Sequence, residues 1–156
     1  MIGWINERFG VQLAEKDVNQ VKNFSLIWNI FEDTVCDRYC TIPKMKAAFQ
    51  NKNFNLIHFE VFLDYFKQRY VENGQPTEKF PGLRITNENY ENLVLAVLKG
   101  KETTERETVL ALAIIVYRYR NNLFHGEKDI RTINLQNDNF QNANGFLQAL
   151  LTNYFN

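Results

Sequence analysis

Two side chains in this sequence stand at a spacing that invites a mechanism. Arg120 and His125 are five residues apart, with Asn121 and Asn122 between them and Gly126 and Lys128 just beyond. On a helix, Asn121 and His125 share a face and Arg120 lies about 100° round from Asn121. Histidine can take or return a proton near neutral pH, and a planar, permanently charged guanidinium can grip phosphate oxygens in a forked geometry. Together they suit RNA cleavage by the substrate's own 2′-hydroxyl. A base removes the hydroxyl proton and a cation stabilises the charge that develops on the phosphate. The same residues also admit a plain reading, in which Arg120 snorkels to solvent and His125 is an ordinary helix cap.

Few other residues compete for a catalytic role. His58, the second of the two histidines, sits between Ile57 and Phe59 and reads as structural. Cys36 and Cys40 are four apart and would share a helix face, but they are two ligands short of a metal site, so we expect reduced, helix-lining thiols. No metal site and no cofactor is expected. Glu32 falls close to the inward side of the helix that carries Trp28 and Val35. An unpaired carboxylate there would be costly, which makes Arg120 a candidate partner and a solvated flank the alternative. Lys128 and Asn122 could add contacts to a substrate phosphate; for Lys128 the competing reading is an exposed loop lysine.

The elements that must position these residues read as helices. Asp17-Val18-Asn19-Gln20 has the pattern of a capping box, and Val18, Val21, Phe24, Trp28, Phe31, Val35 and Tyr39 then recur at three- and four-residue steps as far as Pro43. A short turn of helix could follow at Met45–Phe49. A second long helix is expected over Phe54–Glu72, with Ile57, Val61, Tyr65 and Tyr70 inward and Gly74 as the stop. Gln75–Thr86 reads as a connecting loop. Asn87 caps a third helix to Lys99. Thr104-Glu105-Arg106-Glu107 is a second capping-box pattern, opening a helix from Glu105 to Phe124 that is apolar nearly all round and therefore central. Ile130–Leu135 alternates weakly and could be extended. A last helix over Asn139–Phe155 presents Phe140, Ala143, Leu147, Leu150, Leu151 and Tyr154. The expectation is a single all-α domain over residues 1–156, a bundle of about five helices.

Composition agrees. Of 156 residues, 45% are hydrophobic and 14% aromatic, enough for one buried core and against disorder. The eighteen basic and eighteen acidic residues cancel, so attraction to nucleic acid has to come from a local cluster and not from net charge. No apolar run reaches the ~20 residues of a membrane span, and the start of the chain lacks the pattern of a signal peptide. We expect no membrane association and a cytoplasmic location.

The segment Arg120-Asn121-Asn122-Leu123-Phe124-His125-Gly126, at the end of an apolar helix, resembles the R-x4–6-H motif of the HEPN family, whose common form has Asn directly after the Arg. The Leu-Phe-His-Gly-Glu-Lys continuation, and Phe24–Glu32 as a first long helix, resemble a bacterial subgroup of small HEPN domains associated with toxin and phage-defence systems. The resemblance implies a metal-independent endoribonuclease with a composite site at a homodimer interface, acting as the toxic effector of a toxin–antitoxin or antiviral system. Arg120 would then bind phosphate, Asn121 orient the site and His125 transfer protons. RNA, a second copy of the chain and an antitoxin or defence partner are the implied partners. Some family toxins are silenced by nucleotide addition at a Tyr two residues after the His; here that position is Glu127, which departs from the pattern. A non-catalytic HEPN module binding RNA, a nucleotide or a partner protein is the second expectation, and a purely structural helical scaffold the third.

Overall fold

The structure, a computed structural model, describes residues 1–126 and 128–155. Among these are seven α-helices: α1 (Ile2–Phe9), α2 (Glu15–Cys36), α3 (Ile42–Phe49), α4 (Glu60–Tyr70), α5 (Glu88–Leu98), α6 (Glu105–Phe124) and α7 (Asn137–Phe155). The five expected helices are present, joined by α1 and a fully formed α3. The chain is all-α apart from a two-residue hairpin, β1 (Val71–Glu72) with β2 (Gln75–Pro76).

Helix α6 is the axis of the bundle. From Thr108 to Val116 every residue is buried, because Val109, Leu110, Leu112, Ile114, Ile115 and Val116 leave no polar stripe for solvent. Around it pack α5, α3 and α7, and α2 lies along α7. The core is aromatic: Phe24, Phe31, Phe49, Phe59, Phe66, Phe140 and Phe146 are fully buried. Gly145 lets α7 approach α4, since a Cβ there would stand 2.6 Å from the Phe62 ring. Helix α1 buries no residue of its own and covers a small satellite cluster of Leu13, Val18 and Ile133.

Several boundaries differ from the sequence reading, each for a local reason. Helix α2 starts at Glu15, and Asp17 caps it from the third position by accepting the Ala14 N–H at 2.7 Å. It ends at Cys36, where Asp37 and Arg38 turn left-handed with φ of 48° and 82°, so Tyr39 is exposed and does not extend the apolar stripe. That turn brings Cys40 back onto Cys36, and the two are joined as a disulfide with Cα atoms 5.0 Å apart. The expectation of two reduced thiols on one helix face is therefore corrected. Thr104 caps α6 without a side-chain bond; its N–H donates to Glu102 instead. Ile57 and Val61 are exposed, because α4 begins only at Glu60, after a 3-10 turn that resets the helical phase. Ile130–Gln136 is 3-10 helix and not extended. No described helix is long and apolar enough to cross a membrane.

Candidate active site

The last two turns of α6 carry different tasks on different faces. Arg118 and Asn122, four residues apart, look towards the 3-10 turn at Phe80–Leu83: Arg118 Nε donates to the Leu83 carbonyl at 2.9 Å and Asn122 Nδ2 to the Gly82 carbonyl at 3.0 Å. These two bonds satisfy the turn's carbonyls as it passes over the core. Asn122, expected as a substrate contact, is only 4% exposed and its amide is engaged in this tie. Tyr119, on the next face, is buried and places its hydroxyl 2.5 Å from that of Tyr70 in α4.

Arg120 faces α2. Its Nη2 stands 3.9 Å from Glu32 Oε1, and its Nη1 donates to Asn121 Oδ1 at 3.2 Å. The guanidinium carbon also lies 5.4 Å from the ring centre of Phe124, one turn on. Glu32 is held in turn by the N–H of Cys40, which donates to Oε1 at 3.1 Å. The turn at Asp37 and Arg38 supplies that donor. Side-chain exposures of 30% for Arg120 and 14% for Glu32 place the pair at the rim of the core, with the carboxylate the deeper partner. The paired reading of Glu32 holds and the solvated one does not. Arg120 Nε is buried and makes no hydrogen bond. The cation is thus held in place while, among the described residues, several of its donors meet no acceptor.

His125 is the C-cap of α6, its N–H donating to the Asn121 carbonyl at 3.0 Å, and its side chain is exposed. Gly126 follows with φ of 72°, the left-handed position that ends many helices. Arg120 and Asn121 are therefore brought together with Glu32, and His125 closes the same helix end as its exposed C-cap. Phe124, next to it, is also exposed. Lys128 is half-buried and does not join this group: its Nζ donates to Gln136 Oε1 at 3.2 Å. Glu127 lies outside the described residues.

His58 pairs its Nδ1 with Asn153 Oδ1 at 2.9 Å, far along the chain from the Arg120 segment, in keeping with a structural role. Among the described residues no three His, Cys, Asp or Glu side chains converge as metal ligands. A cleft between α3, α5 and the first turns of α6, lined by Lys46, Phe49, Tyr90 and Arg106, opens at the end of α6 opposite to Arg120.

The sequence reading missed the donor role of the Cys40 backbone and the buried Tyr70–Tyr119 pair. It also missed Arg69, which shares a helix face with Tyr65 one turn earlier. Comparison with family models, with curated proteins and with solved structures finds no match.

Proposed function

We propose that this protein is a metal-independent endoribonuclease of the HEPN type, with Arg120 and His125 as its reacting pair. The observation that carries the reading is the state of Arg120. The guanidinium is anchored by Glu32 and Asn121 at the end of the most buried helix, yet keeps donors free for an oxyanion, with an exposed histidine one turn away. In the reaction, the 2′-oxygen of the substrate attacks the adjacent phosphorus as His125 accepts its proton. Arg120 stabilises the charge on the non-bridging oxygens. The bond to the 5′-oxygen breaks, that oxygen takes up a proton, and a 2′,3′-cyclic phosphate remains on the upstream fragment.

A single chain offers one arginine and one histidine at this helix end, and a two-fold axis through it would supply two of each. The exposed Phe124 beside Arg120 provides apolar surface for such a contact. We therefore propose a homodimer with a composite site, acting as the toxic effector of a toxin–antitoxin or antiviral system. The test is RNA cleavage by the purified dimer. His125→Ala and Arg120→Ala should each abolish cleavage while the fold and the dimer persist. Cleavage surviving both substitutions would refute the assignment and favour a non-catalytic module that binds RNA, a nucleotide or a partner protein.

A further inference from the structure

A second cationic pair lies on the α4 side of the same helix end. Arg69, in the last turn of α4, has its guanidinium 5.6 Å from the ring centre of Tyr70. Its backbone carbonyl accepts the Thr77 hydroxyl at 2.8 Å, which fixes the turn that carries it. Lys128 donates to Gln136 Oε1, the same oxygen that accepts Asn139 Nδ2 at 2.8 Å; Asn139 Oδ1 in turn accepts the Tyr65 hydroxyl at 2.7 Å. Arg69 and Lys128 thus border one polar network floored by Tyr65, Tyr70 and Tyr119.

Among the described residues neither cation has a carboxylate within 4.0 Å, although Asp138 is near enough to Tyr65 to help raise its phenol. Arg69 Nε is buried without a hydrogen bond. Burial and the charge of Arg69 both push the Lys128 ammonium below the usual lysine range, so the two cations feel each other. Burial works against the Arg69 cation, but Tyr70, Tyr119 and Tyr65 more than offset it and hold it above its ordinary value, so the charge that an anion would relieve is chiefly that of Lys128.

We propose that Arg69 and Lys128 form a phosphate-binding subsite in which one oxyanion bridges the guanidinium and the ammonium. The planar fork of Arg69 would take two oxygens and Lys128 a third. The ligand class is a phosphate group, carried either by a nucleic-acid backbone or by a free phosphate or mononucleotide. This inference stands without the ribonuclease reading, since it uses neither Arg120 nor His125.

The test uses the full chain and inorganic phosphate, followed by thermal unfolding and by NMR shifts of the amides around Arg69 and Lys128. At about tenfold its Kd, phosphate should raise Tm by about 3–6 °C. The rise should vanish in Arg69→Gln and in Lys128→Gln but persist in Lys16→Gln, an exposed lysine elsewhere. Without phosphate, Lys128→Gln should unfold at the same temperature as the parent or higher, because a repulsion is removed; this reading stands even if Arg69→Gln fails to fold. A 5′-hydroxyl RNA oligonucleotide that displaces phosphate identifies a backbone site, and one that does not identifies a free phosphate or nucleotide. No saturable rise in the parent, an equal rise in both variants, or a clear loss of stability in phosphate-free Lys128→Gln would overturn the proposal.

Discussion

If Glu32 holds Arg120 in place, the two residues must be energetically coupled, and a double-mutant cycle measures this directly. The perturbations are Glu32→Gln, which removes the charge and keeps an acceptor for the Cys40 N–H, and Arg120→Met, which keeps the stem and removes the guanidinium. At 3.9 Å the bare attraction is ~4 kcal/mol for an effective dielectric constant of about 20. Solvent reaches 30% of the Arg120 side chain, and screening with the cost of ordering brings the net coupling to about 1 kcal/mol. Weakening the charged hydrogen bond from Cys40 adds about 1 kcal/mol to the single Glu32→Gln change, outside the coupling. Glu32→Gln should therefore cost about 2 kcal/mol, or about 4–8 °C in Tm. Urea unfolding of the parent, the two single variants and the double variant gives the cycle, and high salt should shrink the coupling. Additivity within about 0.3 kcal/mol would refute the pairing. In a cleavage assay, the loss in Glu32→Gln should fall on kcat more than on KM, as befits a positioning residue.

Three further outcomes follow from the structure. Asn122→Ala should cost about 1–3 kcal/mol, because it leaves the Gly82 carbonyl unpaired beneath a buried side chain, yet leave activity per folded molecule intact. Replacing both Cys36 and Cys40 by Ser should cost up to about 2 kcal/mol from loop-closure entropy, read by denaturation in the absence of reductant. Burial pushes Tyr65 up to about 12 and raises Tyr70 and Tyr119 as well, so the folded chain keeps protons that the unfolded chain releases above about pH 10. The stability from these groups is complete below pH 10 and is lost as pH rises from about 10 to about 12. Phenolate absorbance from the three should appear together with unfolding, and its appearance in a still-folded protein would contradict their burial.

The features legible in the sequence are those set by local periodicity. The unbroken apolar run of α6 could only be a buried helix, and its abrupt change of character at Arg118 marked the polar end correctly. Glu32 was legible as a partner for Arg120 because an inward carboxylate on α2 needs one. Other features depended on tertiary context. Asn122 looked like a member of the site by adjacency, but its face of α6 meets the Phe80–Leu83 turn, whose course no local pattern announces. The Cys36–Cys40 bond required the left-handed turn at Asp37 and Arg38, a conformation that these side chains do not advertise. The hairpin at Val71–Pro76 was readable in principle: Asn73-Gly74, with φ of 51° and 72°, is a strong short-range hairpin signal. The network around Arg69 joins residues 65 to 139 and could not be read from spacing at all.

The central claim is tested most directly by the ends of the RNA fragments that the protein produces in excess chelator. The account predicts continued cleavage that leaves a 2′,3′-cyclic phosphate upstream and a 5′-hydroxyl downstream, with none at a site bearing a 2′-deoxy sugar and none by His125→Ala. Losing the proton transfer should cost 10²–10⁴-fold in rate or more. Cleavage of the 2′-deoxy substrate, or an absolute requirement for magnesium, would contradict it.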